Sequence, residues 1–130
     1  MATDGSLRRL FKANLRGFDW LAVETSATMR GVPDANYCGW GAEGWVETKA
    51  TQGWRVKVRP EQVGWAERRL RAGGRVFLAV RRGGVELWLF TGWALRPLVT
   101  SRLDEVAALG RWRGGPGRWN WAAVAAALKE

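Results

Sequence analysis

Apolar residues recur at helical spacing at Leu7, Leu10, Phe11 and Leu15, with Arg8, Arg9, Lys12 and Arg16 on the intervening positions. This pattern predicts an amphipathic helix that Gly17 ends. Asp19 to Glu24, built on the apolar run Trp20-Leu21-Ala22-Val23, reads as a first strand. Residues 31–40 read as a turn, punctuated by Gly31 and Pro33, that enters a short strand around Tyr37-Cys38. Gly41-Ala42-Glu43-Gly44 supplies a tight reversal, and Trp45 to Ala50 alternates as a second strand of the hairpin. On that strand Glu47 and Lys49 share one face, Val46 and Thr48 the other. Trp54-Arg55-Val56-Lys57-Val58 also alternates, fitting either an extension of the sheet or an extended approach to the next helix. Pro60 opens a helix to about Ala72, with Val63, Ala66 and Leu70 inward and Gly73-Gly74 as its stop. Arg75 to Arg81 and Val85 to Phe90 are two further strands joined through Gly83-Gly84.

Val76, Leu78 and Val80 line one face of the strand from Arg75, yet Phe77 and Ala79 make the other face apolar too, as expected when helices cover both sides of a sheet. Helix, three strands, helix, two strands therefore implies an α/β sandwich around a central mixed sheet, helix 60–72 forming a right-handed crossover. Past Thr91 the pattern loosens into a C-terminal helical extension. Ser101-Arg102-Leu103-Asp104 resembles a capping box opening a short helix that Gly110 closes. Residues 111–119 read as an irregular loop alternating cation with indole, and Asn120 caps a last Ala-rich helix to Lys129.

The length of 130 residues fits one domain, with a core from about residue 7 to 92 and the extension from 93 to 130. A chain of this size buries about two-thirds of its unfolded surface without disulfides or structural metal. Met1 to Gly5 lacks the apolar centre of a secretory signal, and no apolar run is long enough for a membrane span. The lone Cys38 is compatible with a reducing cytoplasm; with no His to activate it, it reads as a small half-buried hydrophobe. A cytoplasmic protein is expected.

Net charge is +9, from 21 Lys and Arg against 12 acids. Arg dominates, and Arg favours planar bidentate contact with phosphate, so the excess points to nucleic acid. It is concentrated between residues 55 and 82, where Arg55, Lys57, Arg59, Arg68, Arg69 and Arg71 lead the basic positions, and it recurs at Arg111 and Arg113. A surface that tracks phosphates is the inference. Ten Trp are present; those at 40, 45, 112, 119 and 121 sit in or near predicted loops, where an indole could stack on an unpaired base or serve packing.

Chemistry concentrates in the hairpin. Pro33-Asp34 leads into its first strand and Glu47-Thr48-Lys49 lies in its second, so Asp34 can approach Glu47 across the turn. Two carboxylates in one small volume repel, and one holds a proton unless a cation sits between them. Oxygen ligands in a chain without His, with one Cys, point to Mg²⁺ or Mn²⁺ rather than zinc. Such an ion activates water and stabilises charge on a phosphate under attack. Lys49 would orient the water or neutralise the phosphate.

These residues resemble the PD-(D/E)XK nuclease superfamily, and within it the small stand-alone phage nucleases of the VRR-NUC type, close in plan to archaeal Holliday junction resolvases. The resemblance runs from about Leu7 to Gly92 through Glu24-Thr25-Ser26, Gly31-Val32-Pro33-Asp34, Glu47-Thr48-Lys49, Arg59-Pro60-Glu61-Gln62 and Ala72-Gly73-Gly74-Arg75-Val76. It implies a restriction-endonuclease-like sandwich, Asp34 and Glu47 as metal ligands, and Lys49 as the catalytic lysine. Gln62 is similar to the family's glutamine beside the active site, and Glu24 resembles the acid that completes the metal environment. A Mg²⁺-dependent endonuclease on branched DNA, Holliday junction or flap, is what the resemblance implies, acting as a homodimer because a symmetric pair of sites cuts both strands most simply. A non-catalytic DNA-binding module on the same fold and a site-specific restriction-type nuclease remain the alternatives.

Overall fold

The computed structural model describes residues 5–24 and 29–130; the expectations for residues 1–4, and for Thr25 and Ser26 of the motif after Glu24, lie outside the described residues. Helix α1 spans Gly5–Asn14 and buries Leu7 and Phe11. Strands β1 (Asp19–Ala22), β2 (Ala35–Gly39) and β3 (Ala42–Thr51) follow, then helix α2 (Pro60–Arg71), and strands β4 (Arg75–Arg82) and β5 (Glu86–Thr91). A 3₁₀ turn (Gly92–Ala94), helix α3 (Leu95–Leu98), a longer 3₁₀ segment (Leu103–Leu109), strand β6 (Gly110–Gly114) and helix α4 (Trp121–Lys129) complete the chain.

The six strands lie side by side in sequence order. Neighbours are antiparallel except β3 and β4, which are parallel and joined by α2. Both faces are packed. On one, Val46, Phe77, Ala79 and Leu89 meet Leu7 and Phe11 of α1 and Val124 and Leu128 of α4. On the other, Val76, Leu78 and Val80 meet Val63 and Ala66 of α2 and Leu95 and Leu98 of α3. The five successive buried residues Val76 to Val80 are thus explained by helices on both sides. Each of the larger ones, Val76, Phe77, Leu78 and Val80, contributes about 1.5–3 kcal/mol when taken from water. Among the described residues no helix is long and apolar enough to cross a membrane.

The structure corrects several local expectations. The hairpin reverses at Trp40-Gly41, not over residues 41–44: Gly39 pairs with Ala42, and both turn residues have positive φ. Trp40 tolerates that conformation with its ring edge-on to Phe18, 4.7 Å between centroids, and beneath Lys129. Gly44 is a strand residue rather than a turn residue, and a Cβ there would lie 2.5 Å from the Tyr37 hydroxyl. Residues 54–58 form the extended approach to α2 and not a strand. The box at the 3₁₀ segment is built by Arg102 and Glu105, one residue later than the sequence pattern suggests.

Residues 111–114, expected as part of an irregular loop, belong to strand β6, which begins at Gly110. Their alternation of cation and indole is a two-residue period. Trp112 turns toward the α1/α4 core, while Arg113 pairs with Trp88 and lays its guanidinium 4.2 Å from that ring centre. Cys38 is exposed, not half-buried, since it stands on β2 beside the short outer strand β1, whose residues are themselves largely exposed.

Candidate active site

Strand β2 begins at Ala35, opposite Val46, so β3 from Glu47 onward runs past its end. The Pro33-Asp34 segment fills the gap. The Asp34 carboxylate accepts the Thr48 backbone N–H at 2.7 Å through one oxygen and the Thr48 hydroxyl at 2.6 Å through the other. A side chain thereby satisfies a strand amide that has left the ladder, which fixes the carboxylate to β3. The backbone on the other side is tied as well, because the Asp34 carbonyl accepts from Val23 N–H at 2.8 Å.

The loop before Asp34 is pinned to α2. Gly31 has φ +85°, and a Cβ there would lie 2.2 Å from the Glu61 carbonyl oxygen; only glycine permits that approach. Arg30 adds an ion pair to Glu61 at 3.3 Å. The result is a close seat for the first turn of α2, where Pro60 occupies the opening position and Gln62 is buried. Gln62 has two tasks: its carbonyl oxygen accepts from Arg59 N–H at 3.0 Å, capping the helix, and its amide donates to Glu47 Oε2 at 3.1 Å. The cap and the link to the site are one side chain.

Glu47 and Lys49, two residues apart on β3, both face α2, and Lys49 Nζ lies 3.7 Å from Glu47 Oε2. Their side chains are 3% and 1% exposed, so an acid and a base are held out of water together. Burial, joined by the negative charge of Asp34, pushes the Glu47 carboxyl up to about 8. Asp34 is also raised by burial, against the lowering pull of its Thr48 bonds and of Arg8. Lys49 is lowered by burial, and the Arg59 charge adds to this while Glu47 and Asp34 oppose it. Two adjacent carboxyls that are both hard to ionise form an oxygen donor set that a hard divalent cation would relieve.

Sequence reasoning missed two participants. Thr48 points to the face opposite Glu47, as its parity requires, and still reaches the site because Asp34 comes around the edge of β3 to meet it. Arg8 of α1 brings a guanidinium nitrogen to 3.6 Å from Asp34 Oδ2. Its position on a basic helical face is legible in the sequence, but which flank of the helix meets the acid is not. Glu24 is exposed, just beyond β1. Among the described residues no three acid, His or Cys side chains gather, so Glu24 does not join Asp34 and Glu47 in a cluster.

The basic residues do not form one surface. Arg55, Lys57 and Arg59 are exposed on the approach to α2, at the site end, Arg55 donating to the Thr100 carbonyl. Arg68, Arg69 and Arg71 lie at the far end of α2, about 1.5 Å per residue down the helix. There Arg69 stacks over Trp45 and Trp65, and Arg71 approaches Glu67 at 3.8 Å. Arg113 covers Trp88 on the α2 side, whereas Arg111, at a register shift in β6, reaches toward Glu130 at 4.0 Å.

A mixed six-stranded sheet, helices on both faces and an acid-rich hairpin edge beside a crossover helix define a restriction-endonuclease-like α/β sandwich. Among solved structures the chain is similar to Archaeoglobus fulgidus Hjc, a Holliday junction resolvase from an archaeal hyperthermophile. The TM-score is 0.57 at 15% identity, over 68% of this chain and 77% of that one. At that identity the likeness is one of fold. No protein-family model matches the chain, and no curated protein matches it in sequence.

Proposed function

We propose that the protein is a divalent-metal-dependent DNA endonuclease of PD-(D/E)XK type that acts on branched DNA, a Holliday junction or flap. The observation that carries this is the buried pairing of Lys49 with Glu47, set beside Asp34 at the free edge of β3. The net charge of +9 and the fold shared with a resolvase support DNA as the substrate. Asp34 and Glu47, once ionised, are the groups that would hold Mg²⁺ or Mn²⁺, without Glu24, which does not gather with them. A bound ion of this kind supplies an acidified water and positive charge beside the phosphate. Gln62 orients Glu47, Thr48 orients Asp34, and Lys49 sets the attacking water or meets the charge that develops on the phosphate. Arg55, Lys57 and Arg59 lie where they can take the flanking phosphates, with the Arg68 to Arg71 group further along the duplex.

The finer placement, a VRR-NUC-type enzyme of phage origin working as a homodimer in the cytoplasm of its host, rests on the sequence resemblance. Sedimentation equilibrium checks the dimer. The activity is tested with labelled four-way junction, flap and linear duplex, each with Mg²⁺ or with chelator. Metal-dependent nicking of branched substrates is expected; binding without cutting would mark a non-catalytic module, and cutting at one duplex sequence a restriction-type enzyme. Asp34→Ala and Glu47→Ala are expected to lower cleavage by about 100-fold or more while junction binding in chelator persists.

A further inference from the structure

A groove of about 670 Å³ opens on the α1 side of the sheet, between α1, the β4–β5 turn and the segment leading into α4. That volume lies within the range of about 300–1,000 Å³ typical of ligand sites. Its chemistry is specific: the lining includes Arg81, Arg118, Trp119, Trp121 and the Asn14 amide, and no carboxylate among the described residues. Both indoles are half-buried and held in place. Trp119 donates its ring N–H to the Val85 carbonyl at 3.0 Å, Trp121 packs edge-on against Phe11 at 5.5 Å, and the two rings stand 5.6 Å apart. Fixed rings lose little freedom when a flat ligand settles against them.

The groove also has a defined relation to the site. Arg81 pairs across the sheet with Ala50, the residue after Lys49. Helix α1 separates the two regions: Arg8 reaches Asp34 on one flank, and Ser6 holds the Arg81 guanidinium on the other. The groove and the site therefore flank the same helix. Indoles beside the exposed Arg118, with no acid among the described lining residues, suit a chain of bases and phosphates that is not paired.

We propose that this groove binds an unpaired segment of DNA, one base stacking on Trp119 and Trp121 while the exposed Arg118 neutralises an adjoining phosphate. The proposal rests on DNA being the substrate, but not on cleavage. The test uses the full chain in chelator, with a ten-nucleotide oligo(dT) and a ten-base-pair duplex titrated separately by fluorescence anisotropy. An iododeoxyuridine-substituted oligo(dT) is then cross-linked and mapped by mass spectrometry. Cross-links are expected on the peptide carrying Trp119 and Trp121. Trp119→Leu, and independently the exposed Arg118→Glu, should each weaken oligo(dT) binding about tenfold and leave duplex binding unchanged. Cross-links confined elsewhere, or equal losses for both DNAs in Arg118→Glu, would overturn the groove assignment. A protein that binds the duplex but not oligo(dT) refutes the groove alone, whereas one that binds neither refutes the DNA reading beneath it.

Discussion

Glu47 carries its proton in the folded protein up to about pH 8, against 4.5 for the ordinary side chain. The folded state therefore binds more protons than the unfolded chain between those values, and stability falls as pH rises through that window. The contribution is complete below about 4.5 and is lost above about 8. Lys49, lowered from 10.5, acts in the opposite sense above its own folded value, where rising pH restores stability. Thermal melts of the protein in chelator should fall in midpoint from pH 5 to pH 8, and Glu47→Gln should flatten that slope; a parallel slope in the variant would mean that Glu47 ionises normally. A second consequence concerns Thr48, which gives Asp34 both its backbone N–H and its hydroxyl. Thr48→Val keeps the shape and removes the hydroxyl. Divalent-metal affinity measured by calorimetry is expected to drop by about tenfold, the scale set by removing an orienting partner.

At the level of elements, the site depends on two junctions: the end of β2 against β3, and the loop before Asp34 against the first turn of α2. Gly31 serves the second junction, with its positive φ and its approach to the Glu61 carbonyl. Gly31→Ala should cost about 1–3 kcal/mol of stability in urea unfolding, from strained backbone and the displaced helix turn. The same variant should slow cleavage, because Gln62 and Asp34 would shift relative to Glu47. Undiminished stability would show that the loop finds another route past α2.

Across the whole molecule, the charge excess separates into a site-end group and a far-end group, joined by the length of α2. Arg68 is exposed, Arg69 lies over two indoles and Arg71 is shared with Glu67, whereas Lys57 and Arg59 stand open beside the site. Lys57→Ala with Arg59→Ala should reduce the slope of log affinity against log salt by about 0.9 for each duplex phosphate that is no longer neutralised. The equivalent change at Arg68 and Arg71 should do less. Filter binding across a salt series distinguishes them, and a larger effect from the far end would reverse the assignment of the DNA path.

What can be read without coordinates is whatever repeats with the period of an element. The inward stripe of Val63 and Ala66, the twofold-apolar strand at Val76 to Val80, the Asn120 cap and the shared face of Glu47 and Lys49 all follow from spacing within one segment. Residues 111–114 read as loop because glycine and arginine density masks a two-residue period that only pairing with β5 makes decisive. Thr48 and Arg8 meet Asp34 because β2 begins one residue after it and α1 crosses the sheet nearby, and neither fact is local in sequence. The sequence alone determined which side chains share a strand face or a helical stripe, because backbone geometry sets those periods. Only the tertiary structure decided which faces meet around Asp34, because that depends on where strands end and how helices cross them.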